Sequence, residues 1–412
     1  MGTHYSSRLL SNFIALSIIQ GTNFLLPILV MPFVIKRVGA DGFGIIAVAQ
    51  VVMIYLSTIS DYGFNLTATR DVAINRDDKP KISRIFYTVL ASKLLITVAS
   101  FLVLLIMILF VPLFRSNSTL YLLGFTYVLG QSLMVSWFFQ GMEKMQYITV
   151  VTLLSRVVFV LLVFAFIRDR DDKKLFLLFL GLGNTVAGLL SIYLAHRIFG
   201  LTVFRPRRAD IRHELKEGWQ ITLSNLSINT YLYINVFVLR LFTNDLTVGY
   251  YSIAEKIFFA IRQILGIYSQ VIYPRVCQVA LQGRKQVTGF FKEIYLPFLA
   301  LVVAGCCIVF FFSGPIVMVF LGSHSTLAVL LLRLLAFVPV IVCLNIPAYQ
   351  VLLALNHKKN YLRVLVTGTM VNLAANLALV NIWGAVGTAI AIIITELFIT
   401  TGLNAELYKK YY

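Results

Sequence analysis

The sequence predicts an all-α, polytopic membrane protein with about twelve transmembrane helices in two six-helix lobes. Composition, a succession of long apolar runs and the placement of basic residues between those runs carry this reading. Of 412 residues, 59% are hydrophobic and 13% charged, and the mean hydropathy is +0.87. A soluble domain has roughly 45–50% apolar and about 25% charged residues, so this chain lacks the charge to cover a water-facing surface. Yet 35 Lys and Arg stand against 17 Asp and Glu, a net +18, and that excess needs its own explanation.

A helix crosses a hydrocarbon core of about 30 Å with about 20 residues. Apolar runs between charged or Pro/Gly breaks fall at 9–35, 43–62, 85–110, 119–140, 147–167, 175–195, 218–239, 246–273, 293–312, 325–352, 361–380 and 383–405. The first is too long for a signal-peptide core and lacks a small-x-small cleavage site, so it is expected to remain as a span. Within it Gly21, Pro27 and Pro32 interrupt regular helix and allow bending. The longest loop falls midway, which divides the chain into an N-terminal lobe at 1–198, a cytoplasmic linker at 199–217 and a C-terminal lobe at 218–412. Its Arg205-Pro206-Arg207-Arg208 fits both the joint of a two-lobed transporter and a segment drawn to anionic lipid. A weak internal repeat agrees with two lobes. Gly44-Ile45-Ile46-Ala47-Val48-Ala49 opens the second run and Gly249-Tyr250-Tyr251-Ser252-Ile253-Ala254 the eighth, each after a short turn containing an acid, Asp41 or Asp245.

The basic residues set the orientation. With the N-terminus in the cytoplasm, 22 Lys and Arg lie on the inner side and 8 on the outer, so both termini are expected to be cytoplasmic. Five basic residues remain inside spans: Lys93, Arg156, Lys256, Arg262 and Arg333. Each costs about 2.5–3.5 kcal/mol at mid-helix on an insertion scale, so each calls for a reason. Arg156 shares a helix face with Thr149 and Thr152, and Lys93 shares one with Thr97 and Ser100. Gln20 and Asn23 in the first span, and Asn225 and Asn229 in the seventh, form further polar stripes. A hydrated cavity explains such stripes, with the five cations holding an anionic passenger and the four amides contacting its polar part. Two bland readings stand beside this one. The cations can pair internally with acids, and Arg333 can snorkel to the interface. Glu396 and Glu255, buried carboxylates in spans, are the candidates for proton or sodium coupling.

Several function classes are excluded. The basic residues punctuate apolar runs instead of forming a domain, and no zinc-finger or aromatic RNP pattern appears, so nucleic acid is not expected as a partner. Cys277, Cys306, Cys307 and Cys343 lack ligand spacing, and five scattered His make no metal site. There is no G-x-S-x-G, H-E-x-x-H or P-loop. No catalytic residue, metal or cofactor is therefore expected, gradient coupling aside.

Five segments carry a family resemblance. Asp61-Tyr62-Gly63-Phe64-Asn65 resembles the D-x-G-hydrophobic element of bacterial polysaccharide flippases. Trp137-Phe138-Phe139-Gln140-Gly141-Met142-Glu143-Lys144-Met145 resembles their W-x-x-Q-G-hydrophobic-E-K segment, and Gly249 to Ile257 their G-x-Y-S-x-A-x-K stretch. Tyr273-Pro274-Arg275-Val276 and Leu353-Ala354-Leu355-Asn356-His357-Lys358 resemble the ends of their eighth and tenth spans. In this order over nearly the whole chain, the segments are similar to Wzx-type O-antigen flippases of the multidrug/oligosaccharidyl-lipid/polysaccharide (MOP) exporter superfamily. The resemblance implies a V-shaped pair of lobes around a central cavity, in the bacterial inner membrane. It implies transfer of an undecaprenyl-pyrophosphate-linked O-antigen oligosaccharide from the cytoplasmic to the periplasmic leaflet. The implied partners are that lipid, the bilayer and other polysaccharide-assembly membrane proteins. A lipid II-type flippase, a drug/cation antiporter of the same superfamily and a membrane enzyme of polysaccharide assembly are the competing readings.

Overall fold

A computed structural model describes residues 2–280 and 282–411, with the side chains of 2–28, 274, 284, 410 and 411 left aside. The described residues form α1 (Gly2–Asp61), α2 (Phe64–Ile74), α3 (Lys79–Phe110), α4 (Pro112–Arg115), α5 (Ser118–Leu133), α6 (Ser136–Gly141), α7 (Met145–Phe166), α8 (Lys173–Phe199), α9 (Arg208–Phe242), α10 (Asp245–Ala280), α11 (Arg284–Phe290), α12 (Leu296–Phe311), α13 (Ser313–Leu321), α14 (Thr326–Ala336), α15 (Val338–Ala354), α16 (Lys358–Trp383) and α17 (Ala385–Tyr411). Among them there is no strand. Nine stretches among the described residues are long and apolar enough to cross a membrane, and the chain is an all-α, multi-pass membrane protein. α9 and α10 are not among the nine, because their polar residues dilute the apolar ones.

Every expected run has a helix, but the helices overrun the expected ends, since charged flanks continue a helix that apolar content alone does not mark. α1 joins two expected runs end to end, broken only at Gly39 (φ 80°, ψ 163°). The expected 325–352 run is divided into α14 and α15. Half of the expected linker is helical, as only 200–207 lies outside helices before α9 begins at Arg208. Asp210 explains that start. It accepts the Arg207 backbone N–H at 2.9 Å, as a first-turn carboxylate does, and it pairs with Arg84 of α3 at 2.5 Å.

Two compact units divide the chain: Met1–Val38 with Ile46–Asn229, and Gly39–Ile45 with Thr230–Tyr412. In the first, α5 and α8 approach closely because small residues face each other; a Cβ on Gly181 would lie 2.1 Å from Thr126 Oγ1. A cluster of aromatic rings closes the same unit. Phe86, Trp137, Phe138 and Phe139 are buried, with Phe86 and Phe138 edge-on at 5.2 Å. In the second, Gly44 and Gly249 bring the start of the second half of α1 against α10 with no side chain between.

Three of the sequence segments singled out above are left-handed turns between helices. Tyr62 (φ 47°) and Gly63 (φ 74°) turn the chain between α1 and α2, Glu143 (φ 57°) between α6 and α7, and Asn356 (φ 64°) between α15 and α16. At the last two, Lys144 and His357 donate backbone N–H bonds of 2.8 Å to Phe139 and Leu352, the reach of a Schellman-type stop. Glu143 also pairs with Arg76 at 2.9 Å, so its side chain clamps this turn to the end of α2.

On the first turns of α9, half-buried Glu214 lies near Asp71 and Glu217. Its burial, and then those two acids, push its carboxyl up to about 7 from 4.5, against the pull of His213 and Arg70. The native state therefore holds a proton that the unfolded chain has released between these two values, and stability falls as pH rises through that window. Glu214→Gln is expected to raise stability at about pH 8 by about 1–2 kcal/mol after screening by solvent. Thermal unfolding of the two proteins across pH checks this, and the gap should close below about pH 4.5.

Candidate functional site

In the first unit, α1, α2, α5, α6 and α9 surround a cavity of about 390 Å³ lined by Ser57, Thr58, Asp61, Asn65, Tyr127, Gln131, Ser136, Asn225, Ile228 and Asn229. Helical spacing explains the set: 57, 58 and 61 share a face of α1, 127 and 131 one of α5, and 225, 228 and 229 one of α9. The predicted amides Asn225 and Asn229 both lie here, and Asn229 donates to Thr58 Oγ1 at 2.6 Å. The side chains of Gln20 and Asn23 lie outside the described residues.

Lys93 sits behind this lining. It is 2% exposed, and its ammonium donates to Asp61 Oδ1 at 3.0 Å and to the carbonyls of Gln131 and Met134 at 3.4 Å. Its predicted companions Thr97 and Ser100 are buried too, and Ser60 bonds Ser100 at 3.3 Å. The stripe on α3 is thus an interior polar seam, and the Lys93 charge is neutralised by Asp61. Arg156 on α7 is half-buried and lies within electrostatic reach of the lining residue Tyr127, with Thr149 and Thr152 buried on its face.

In the second unit the centre is a three-membered cluster. Arg262 Nη1 donates to Glu396 Oε1 at 3.1 Å and Nη2 donates to Tyr231 Oη at 3.1 Å, while the Tyr231 hydroxyl donates to the same Glu396 oxygen. The guanidinium also stacks 5.1 Å from the centre of the Tyr231 ring. Arg262, Tyr231 and Glu396 line a cavity of about 210 Å³, together with Asn345, Tyr349 and Tyr361 and an apolar remainder. Glu255 is buried and accepts from Tyr251 at 3.2 Å; Lys256, beside it on α10, acts on it electrostatically. Arg333 lines neither cavity. It is exposed on α14, with Nε donating to Ser313 at 2.9 Å and its guanidinium 5.6 Å from the Phe310 ring, the geometry of a snorkelling arginine.

Sequence reasoning missed the amides of α16. Asn376 donates to Asn235 at 2.8 Å and accepts from Thr388 at 2.9 Å, and Asn372 donates to Thr395 at 3.1 Å. The signal was available, since Gly368, Asn372 and Asn376 recur every four residues in an otherwise apolar run. Chemically the two cavities differ. The first offers amides and hydroxyls beside the Asp61 carboxylate, suited to a hydroxylated solute; the second offers a guanidinium beside the Glu396 carboxylate, suited to an anion that can accept two N–H bonds.

Comparison with known proteins places these features. A family model described as polysaccharide biosynthesis protein matches residues 9–280. A protein of Escherichia coli (strain K12), provisionally named an O-antigen transporter, is 28% identical over 392 residues, 95% of this chain and 94% of its own. A Shigella dysenteriae protein of the same provisional name is 27% identical, over 94% and 97%. Among solved structures, the lipid II flippase MurJ in an inward closed conformation superposes with a TM-score of 0.72 at 11% identity, over 97% of this chain and 87% of its own. An inward-facing MATE family multidrug transporter of the MOP superfamily superposes with 0.68 at 15% identity, over 97% and 100%. These two likenesses establish a shared fold.

Proposed function

Because the chain belongs to the polysaccharide biosynthesis protein family, we propose that it is a flippase for undecaprenyl-pyrophosphate-linked O-antigen units, moving them from the cytoplasmic to the periplasmic leaflet of the bacterial inner membrane. It is a membrane transporter, not an enzyme. The observation that carries the reading is Arg262: a guanidinium that pairs with Glu396 yet stays 25% exposed at a cavity within the second unit, the setting in which intramembrane ionisable groups mark a substrate or ion path. The names and coverage of the two curated relatives support the substrate class.

The passenger has an apolar tail, a diphosphate and a glycan. The tail can stay in lipid, but the diphosphate and sugars cannot cross hydrocarbon unaided, since unpaired polar groups cost several kcal/mol each. In this reading Arg262 holds the diphosphate in the second unit with Lys256 beside it on the same helix, Arg156 is a separate head-group contact in the first unit, and Lys93 orients Asp61. Arg333 meets head groups at the membrane surface. Asn225 and Asn229, with Gln20 and Asn23, contact the glycan. Glu396 and Glu255 are the carboxylates through which a proton or sodium gradient drives the cycle, and no other cofactor is required. The lobes at 1–198 and 218–412 alternate access across the membrane, with both termini cytoplasmic.

Complementation of a flippase-deficient strain tests the function. Wild type should restore surface O-polysaccharide. Arg156→Ala, present in the membrane at wild-type level, should reduce it about tenfold or more, the loss expected when one charge-assisted contact of 1.5–3 kcal/mol is removed. Failure of the wild type across related glycan types would overturn the function, and full activity of Arg156→Ala would remove Arg156 from the site.

A further inference from the structure

We propose that Glu396 is an internal competitor for the anion site of the second unit: it occupies Arg262 when the cavity is empty, and a lipid-linked diphosphate must displace it to bind. The inference rests on the functional reading above and assigns the ligand chemistry of this cavity. Arg262 and Glu396 are the only formally charged side chains lining the cavity among the described residues. Their exposures differ sharply. The Glu396 side chain is 2% exposed while that of Arg262 is 25% exposed, so the carboxylate cannot leave for water but the guanidinium has an edge open to the cavity. That edge is framed by the phenols of Tyr349 and Tyr361 and the amide of Asn345. The cavity, at about 210 Å³, is smaller than the roughly 300–1,000 Å³ of pockets that enclose drug-sized ligands. It suits a compact anion and not an oligosaccharide.

Arg262 contacts Glu396 through one terminal nitrogen and Tyr231 through the other. A carboxylate that takes only one of these donors is a weaker partner than a diphosphate able to take two in parallel. Tyr231 makes the exchange feasible, because its hydroxyl donates to Glu396 and would remain with the carboxylate after Arg262 turns to the ligand. A buried Glu396 with no donor at all would be too costly to uncover. Competition of this kind keeps the empty site neutral inside the membrane. It also holds affinity below what Arg262 alone would give, so the ligand can leave again.

The test is equilibrium binding of 32P-labelled undecaprenyl pyrophosphate, carrying no glycan, to the purified full-length protein in phosphatidylcholine nanodiscs. Removing a competitor should strengthen binding. Glu396→Gln is therefore expected to bind the probe about tenfold tighter than wild type and to release it more slowly. Glu396→Asp keeps the charge but retracts it from Arg262, and should fall between the two; it also reports the sign should Glu396→Gln fail to fold. Arg262→Ala should lose binding. A Glu396 that merely held the helices together would give weaker binding in both variants, so equal or weaker binding by both overturns the competition. If the wild type binds nothing yet restores surface polysaccharide, the diphosphate assignment of this cavity is wrong while the proposed function stands; failure of both overturns both. Displacement of the label by an equal concentration of inorganic pyrophosphate would reassign the site to the free anion.

Discussion

Asp61→Ala should strand the Lys93 ammonium and lower the stability of the protein by about 3 kcal/mol, near the low end of what breaking a buried ion pair costs. Lys93 is 2% exposed, so water cannot replace the lost carboxylate, and the carbonyls of Gln131 and Met134 at 3.4 Å are its remaining partners. The low end applies because Asp61 itself is 32% exposed and the cavity beside it admits some solvent. Asp61→Asn retains an acceptor and should cost less. The double variant Asp61→Leu/Lys93→Leu removes both charges and should recover most of the loss, because a pair of apolar residues avoids the desolvation that the ion pair must offset. Thermal unfolding of the four proteins in one detergent decides the matter. Equal melting of Asp61→Ala and wild type would mean that Lys93 finds another partner.

Gly249→Ala should be as damaging for a steric reason. A Cβ there would lie 1.9 Å from the Ala40 carbonyl oxygen and 2.7 Å from its carbon. Those are backbone atoms, so no side chain can rotate away and the two helices must separate. Overpacking of this kind costs about 1–3 kcal/mol and more when backbone must move. Gly44→Ala meets the Asp245 carbonyl oxygen at 2.0 Å and should behave alike. Gly305→Ala on α12 is the control. Nothing lies within 4 Å of its Cβ, and the gain in helix propensity predicts a neutral or slightly stabilising change. Melting temperatures and gel-filtration profiles of the three variants check the contrast. Unchanged melting of Gly249→Ala would show that α10 has room to shift.

These two cases also show what the sequence could and could not convey. Gly44 and Gly249 were visible as matching members of a repeat, since a repeat is a one-dimensional pattern; that each glycine lies against the other's helix is a packing fact with no trace in spacing. The polar stripe of Lys93, Thr97 and Ser100 was legible for the same reason, because helical periodicity follows from sequence alone. Its neutralisation by Asp61, 32 residues away, was not, and neither was the pairing of Arg262 with Glu396 across 134 residues. Asp61 is the last residue of α1, and the left-handed turn at Tyr62 and Gly63 begins immediately after it, with its side chain bonded to Lys93 of α3. Composition and apolar runs did locate the helices, while helix ends went unmarked because residues such as Arg208 to Glu217 are good helix formers without being apolar.

The polarity of α9 and α10 bears on how the chain is made. The translocon tests each emerging segment for its preference for lipid, and a charged residue at mid-segment subtracts about 2.5–3.5 kcal/mol from that preference. With Glu255, Lys256 and Arg262 in one and a row of asparagines in the other, this central pair of helices is a poor substrate for insertion alone. It must be admitted with help from helices already in place or from those that follow. Biogenesis should therefore stall at the middle of the chain, where the ribosome has delivered Arg262 but not Glu396, the carboxylate it pairs with.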